Sequence, residues 1–171
     1  MQKSLQLVVS GQKGKVDLQK IVSVGVAALM FATVAATPTI AGSEDVVVEG
    51  AWARASIGVN RPGAAYMTIR NTGEDAVTLT GIRTDLAMMS DIHQTSTNAE
   101  GVSSMAPAGE IEIAPGDAVS LEPGGLHAML MRLQRPMAEG ESFSLTLDFS
   151  DGGKIVVEVS ILGIAARGPD G

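Results

Sequence analysis

Residues 46–162 never sustain a helical period. Short runs alternate apolar with polar side chains, and glycine or proline ends each run. Such runs fold only as strands. They cover residues 46–55, 64–71, 76–83, 88–94, 101–105, 110–113, 118–122, 126–133, 142–149 and 154–162. The clearest sets Phe143, Leu145, Leu147 and Phe149 against Ser144, Thr146 and Asp148, one apolar and one polar face, as in a half-buried antiparallel strand. Turn chemistry fills the gaps: Arg61-Pro62-Gly63, Asn71-Thr72-Gly73, Pro115-Gly116-Asp117, Pro123-Gly124-Gly125 and Asp151-Gly152-Gly153. The expected fold class is all-β, a sandwich or small barrel in a single domain without internal repeats.

Residues 1–41 read as an export signal rather than as part of that domain. Lys3, Lys13, Lys15 and Lys20 give a positive leading segment, and the apolar run 21–36 follows. Thr37-Pro38-Thr39-Ile40-Ala41 then offers small residues for cleavage. The run has 16 residues, whereas a bilayer-spanning helix needs roughly 20. Cleavage after Ala41 leaves a domain at 42–164 and a short tail, 165–171, expected to be disordered. It removes four of twelve Lys and Arg and one of nineteen Asp and Glu, leaving eight against eighteen, a formal charge of −10. So acidic a chain excludes nucleic acid and anionic lipid as partners.

Exported small domains commonly rely on disulfides, yet no cysteine occurs here. The core must hold the fold unaided. Blue-copper electron transfer, cysteine-rich zinc sites, thiol redox catalysis and cysteine-linked lipid are excluded with it.

Two histidines remain, both near methionines. His93 is followed after eleven residues by Met105, and after a further twenty-one by His127-Ala128-Met129. In a strand, His127, Met129 and Met131 share one face, so a histidine and a methionine two apart can grip one ion. Met105 and His93 fall near the ends of their runs, and strand ends at one rim can converge. Two imidazoles and two thioethers form a soft, uncharged set that suits Cu(I) and poorly suits Zn(II), Mg(II) or Ca(II). Protons compete for imidazole nitrogen, so binding should weaken as pH falls through the free imidazole range near about 6.5.

The residues alone also admit a plainer reading, a metal-free protein-interaction sandwich with rim histidines and methionine as filler. By that measure Met67 is core or strand surface, Met88 and Met89 are packing, Met137 is loop, and Met131 faces either the site or the core. Asp91 is a candidate orienter of His93 or a solvated charge. Catalysis is not expected, because two histidines cannot both hold copper and leave a position open for oxygen, and no nucleophile–base pair stands out.

At these residues the chain resembles the periplasmic copper chaperones of the PCuAC family, whose hallmark is a histidine, a methionine and a His-x-Met pair at this spacing. The flanks agree: Ala64-Ala65-Tyr66-Met67-Thr68-Ile69-Arg70-Asn71-Thr72-Gly73 upstream, and Pro123-Gly124-Gly125-Leu126-His127-Ala128-Met129-Leu130-Met131 with Arg135-Pro136 downstream. The resemblance covers roughly residues 46–162. It implies a cupredoxin-like Greek-key β-sandwich with His93, Met105, His127 and Met129 as Cu(I) ligands. It also implies copper delivery in the periplasm toward the dinuclear copper centre of a haem–copper cytochrome oxidase, the receiver being an oxidase subunit or a thiol-bearing assembly factor. Two departures stand out. Gln94 occupies a position where many relatives carry methionine, and residues 161–171 hold neither the histidine nor the methionine of some relatives' Cu(II)-binding tails. One Cu(I) per chain is therefore expected.

Overall fold

A computed structural model describes residues 43–169. The expected signal segment, 1–41, lies outside the described residues. A single 3-10 turn, Ser43–Asp45, precedes ten strands: β1 Val46–Arg54, β2 Gly63–Asn71, β3 Val77–Arg83, β4 Ala87–Thr97, β5 Ser103–Pro107, β6 Ile111–Ile113, β7 Ala118–Leu121, β8 Leu126–Leu133, β9 Ser142–Phe149 and β10 Lys154–Leu162. Every expected run is a strand, and the all-β class holds.

The strands form one hydrogen-bonded series, β5-β4-β8-β7-β2-β1-β10-β9-β3-β6, in which β8 also pairs with β2. The β1–β10 and β7–β8 pairs are parallel. One contiguous core draws Ala87 and Ile92 from β4, near one end of that series, and Val77, Leu79, Ile82 and Ile113 from β3 and β6 at the other. A flat sheet could not bring those strands to a common core. The series therefore doubles over on itself, and the two halves face each other as a cupredoxin-like sandwich. Strand β9 supplies the expected alternation, with Phe143, Leu145, Leu147 and Phe149 all buried. Asn71 is also buried, and its side chain is fully occupied: Nδ2 donates to Asp75 O and Ile113 O, while Oδ1 accepts from Gly73 N. Those bonds tie the end of β2 to β6 at little desolvation cost.

Met137 lies in a loop between strands, as expected, but is fully buried. Its backbone is held on both sides by Ser56, whose N–H donates to Met137 O and whose Oγ accepts from Met137 N. The thioether then passes over Gly63, where a Cβ would sit 2.4 Å from its sulfur. Two local expectations are corrected. Met88 and Met89, expected as packing, are 64% and 49% exposed. Strand β4 also continues past Gln94 to Thr97, and β5 ends at Pro107 rather than Met105. Hydroxyl pairs Ser96–Ser104 and Thr97–Ser103, at 3.1 and 2.9 Å, extend this hairpin although both of its faces are polar.

The tail, expected to trail off, makes at least one tie to the sheet: Arg54 Nε donates to Ala166 O at 2.7 Å.

Candidate metal centre

Strand β4 lies between β5 and β8, and its register with each neighbour places the candidate side chains. Against β8, His93 pairs with His127 and Asp91 with Met129. Against β5, His93 pairs with Pro107 and Thr95 with Met105. Directly opposed residues share a face, as do residues two apart along a strand. His93, Met105, His127 and Met129 therefore all project from the same face of three adjacent strands. His93 is central. Its cross-strand neighbour is His127, and its two diagonal neighbours, on opposite strands, are Met105 and Met129. Cβ atoms of opposed pairs stand about 5 Å apart and diagonal pairs about 7 Å, within reach of long side chains. The imidazole rings of His93 and His127 have centroids 6.2 Å apart.

This is the face away from the core, because the intervening residues Ile92, Ala128 and Leu130 point inward and are buried. The candidates thus meet on a sheet surface across β8, β4 and β5, not at a rim of strand ends. Residue chemistry alone could not show that β4 would sit between β5 and β8.

Exposure is graded across the site. His127 is 7% exposed, His93 and Met129 are half-buried, and Met105, on the edge strand β5, is 60% exposed. His127 Nδ1 lies 3.2 Å from Gly125 O. A carbonyl can only accept, so in the neutral ring Nδ1 carries the proton and Nε2 keeps its lone pair for an ion. Gly125 O also accepts from Thr95 N at 3.0 Å, tying the turn before β8 to β4.

Beyond β8 the same face continues onto β2. Ala64 pairs with Met129 and leaves room beside it. Tyr66, the next residue on that face, is buried and stacks at 4.6 Å on its cross-strand partner Trp52. The Arg54 guanidinium lies 5.6 Å from the Tyr66 ring centre and 5.9 Å from that of Trp52. Burial pushes the Tyr66 phenol up from its ordinary value, and Arg54 works against that rise. Toward β2 the site's face therefore leads to a buried aromatic pair, and on the other side, at Met105, it is open to solvent. That pair's place beside the site is invisible to spacing arguments because it depends on β2 lying beside β8. Asp91 shares the site face and is half-buried, but its Oδ1 accepts from Ile92 N at 2.8 Å rather than from a histidine.

Among the described residues, no three His, Cys, Asp or Glu side chains converge as a metal-binding group. A metal held at this face would need the thioethers, and thioether sulfur selects soft monovalent ions such as Cu(I).

Comparison with known proteins agrees with this architecture. The LpqE-like family model matches residues 46–161. The Leifsonia xyli subsp. xyli protein Lxx21020, which bears a lipoprotein name, is 32% identical over 120 residues, covering 70% of each chain. The Cu(I) form of DR1885 from Deinococcus radiodurans is 34% identical, with a TM-score of 0.52 over 68% of this chain and 76% of that one. The copper-bound PCuAC domain of PmoF2 superposes with a TM-score of 0.57, 20% identity, and coverage of 70% and 93%. The chain belongs to the LpqE-like family, which is the family of the PCuAC domains.

Proposed function

We propose that this protein is an exported Cu(I)-binding metallochaperone that carries one tightly held copper ion per chain, and that it is not an enzyme. The single observation that carries the reading is the convergence of His93, Met105, His127 and Met129 on one sheet face by the registers of β4 with β5 and β8. Two nitrogens and two thioether sulfurs complete the sphere of a monovalent copper ion, so no position is left open for oxygen chemistry. The four neutral donors leave only the ion's own charge at the surface, a modest desolvation cost. A site without thiolate also yields copper readily to an acceptor that has one. That is the behaviour of a carrier. The Cu(I) form of a protein 34% identical over most of its length supports the same metal here.

Export is supported by the charged, apolar and small-residue succession of residues 1–41 and by the lipoprotein name of the Leifsonia relative. The periplasm is the compartment we assign. The receiver we assign is a copper-accepting protein of oxidase assembly, either an oxidase subunit or a thiol-bearing factor, on the strength of the family resemblance.

Anaerobic titration of the apo protein with Cu(I) against a competing chelator tests the reading. One tight equivalent is expected, and His127→Ala or Met129→Ala should weaken it at least tenfold. Unchanged affinity in both variants would overturn the assignment. A metal-free interaction module would instead show no change in melting temperature on adding Cu(I).

A further inference from the structure

The ladder that carries the two histidines does not end with them. Moving along β4 and β8 on the same face, the opposed pairs are His93 with His127, Asp91 with Met129, and Met89 with Met131. All six side chains are of metal-ligating type. Ordinary surface packing does not call for that, since leucine or valine would fill the same positions. Met89 is 49% exposed and Met131 half-buried, so neither has been drawn into the core. Just beyond them Arg132 adopts φ 55, and the next pair of the ladder, Ala87 with Leu133, is buried in the core. Met88, though exposed, belongs to the other side of β4, among Thr84, Ser90 and Ser144.

We propose that Met89, Met129 and Met131, with the Asp91 carboxylate beside them, form a second and weaker Cu(I) station that shares Met129 with the histidine site. The inference rests on the copper reading of that first site. Met89 and Met131 are directly opposed, and Met129 lies two residues along the same strand face, so three thioether side chains project side by side, within reach of one ion. Three thioethers make a full trigonal set for Cu(I) and remain unprotonated at any ordinary pH. Asp91, diagonal to Met131 and opposite Met129, places a negative charge next to the ion. Because Met129 belongs to both sets, one ion occupies one station or the other. An ion can step between them by exchanging ligands around a sulfur it already holds. The station gives copper a second door, at the Met89 end of the ladder, in addition to the exposed Met105.

The test removes the imidazoles and asks what remains. In the double variant His93→Ala/His127→Ala, Cu(I) titrated against a competing chelator should still bind as one equivalent, weaker than wild type by a factor of a hundred or more. X-ray absorption should report sulfur without imidazole nitrogen in its first shell. Adding Met89→Leu/Met131→Leu, changes that preserve volume, should weaken this residual binding at least tenfold, while the same leucine pair in the wild-type background changes affinity less than twofold. Absence of residual binding in the histidine-free variant overturns the station, and so does residual binding that the leucines leave intact. Should the alanine pair fail to fold by circular dichroism, His93→Gln/His127→Gln takes its place with the same expectations. A wild type that binds no Cu(I) would defeat the first site instead, so the two failures are distinguishable.

Discussion

His93 and His127 are register partners across β4 and β8, yet they sit in different surroundings: His127 is almost wholly buried and anchored through Nδ1 to Gly125 O, whereas His93 is half-buried. The two histidines should therefore separate binding from stability. His127→Ala removes a buried ring and a hydrogen bond, and should cost the apo protein about 1–3 kcal/mol. His93→Ala should cost under about 1 kcal/mol. Both should weaken Cu(I) binding at least tenfold. Urea unfolding of the apo variants, set beside their Cu(I) titrations, checks both halves of this expectation.

Met105 is the converse case. It projects from an edge strand, 60% exposed, and contributes nothing to the core. Met105→Ala should leave apo stability within about 0.5 kcal/mol of wild type. Copper affinity should fall about tenfold, the equivalent of roughly 1.4 kcal/mol. A melting curve without metal and a competition titration with it separate these effects.

The strands were legible in the sequence because alternation and turn residues are local signals. Phe143 to Phe149 alternate as written and are buried as written. The candidate site residues were legible because only two histidines occur and both lie near methionine. Their manner of meeting was not. Convergence at strand ends was the natural expectation, since Thr95, Ser96, Thr97, Ser103 and Ser104 give no apolar alternation to mark a continuing hairpin. That hairpin is instead extended by hydroxyl pairs across its strands. Nor can spacing tell that β4 lies between β5 and β8, because neighbour relations between distant strands are set by the whole packing. Met137 escaped for a related reason: a buried residue in a connecting segment has no period to announce it.

That residue yields a sharp packing prediction. A Cβ on Gly63 would meet the Met137 sulfur at 2.4 Å, inside contact distance, and the sulfur is fully enclosed. Gly63→Ala should destabilise the protein by about 1–3 kcal/mol through overpacking. Met137→Ala alone should cost about 2–5 kcal/mol by leaving a cavity. In the double variant the new methyl occupies vacated space, so the combined cost should fall well short of the sum. Chemical denaturation of the three variants measures that coupling, and strict additivity would show that Met137 does not constrain Gly63.

Acid stability should depend on a pair at the opposite side of the sandwich. Arg83 on β3 grips Asp148 on β9 with two hydrogen bonds of 2.6 Å each. This hydrogen-bonded guanidinium holds the Asp148 carboxyl below its ordinary range. A carboxyl whose folded value is depressed binds fewer protons than the unfolded chain around pH 4, so stability there rises with pH. The contribution is fully present above the unfolded value, near about 3.9, and is lost as pH falls through the lower folded value. Asp151 adds to the same trend, its carboxyl lowered by hydrogen bonds from Ser43 N and Gly153 N. Asp148→Asn should therefore lower the melting temperature slightly at pH 6, because the pair is largely exposed and screened. The gap from wild type should narrow steadily below pH 4. Melting curves of both proteins from pH 6 to pH 2.5 follow that convergence, and a gap that stays constant across the range would mean the Arg83 pairing contributes nothing through its charge.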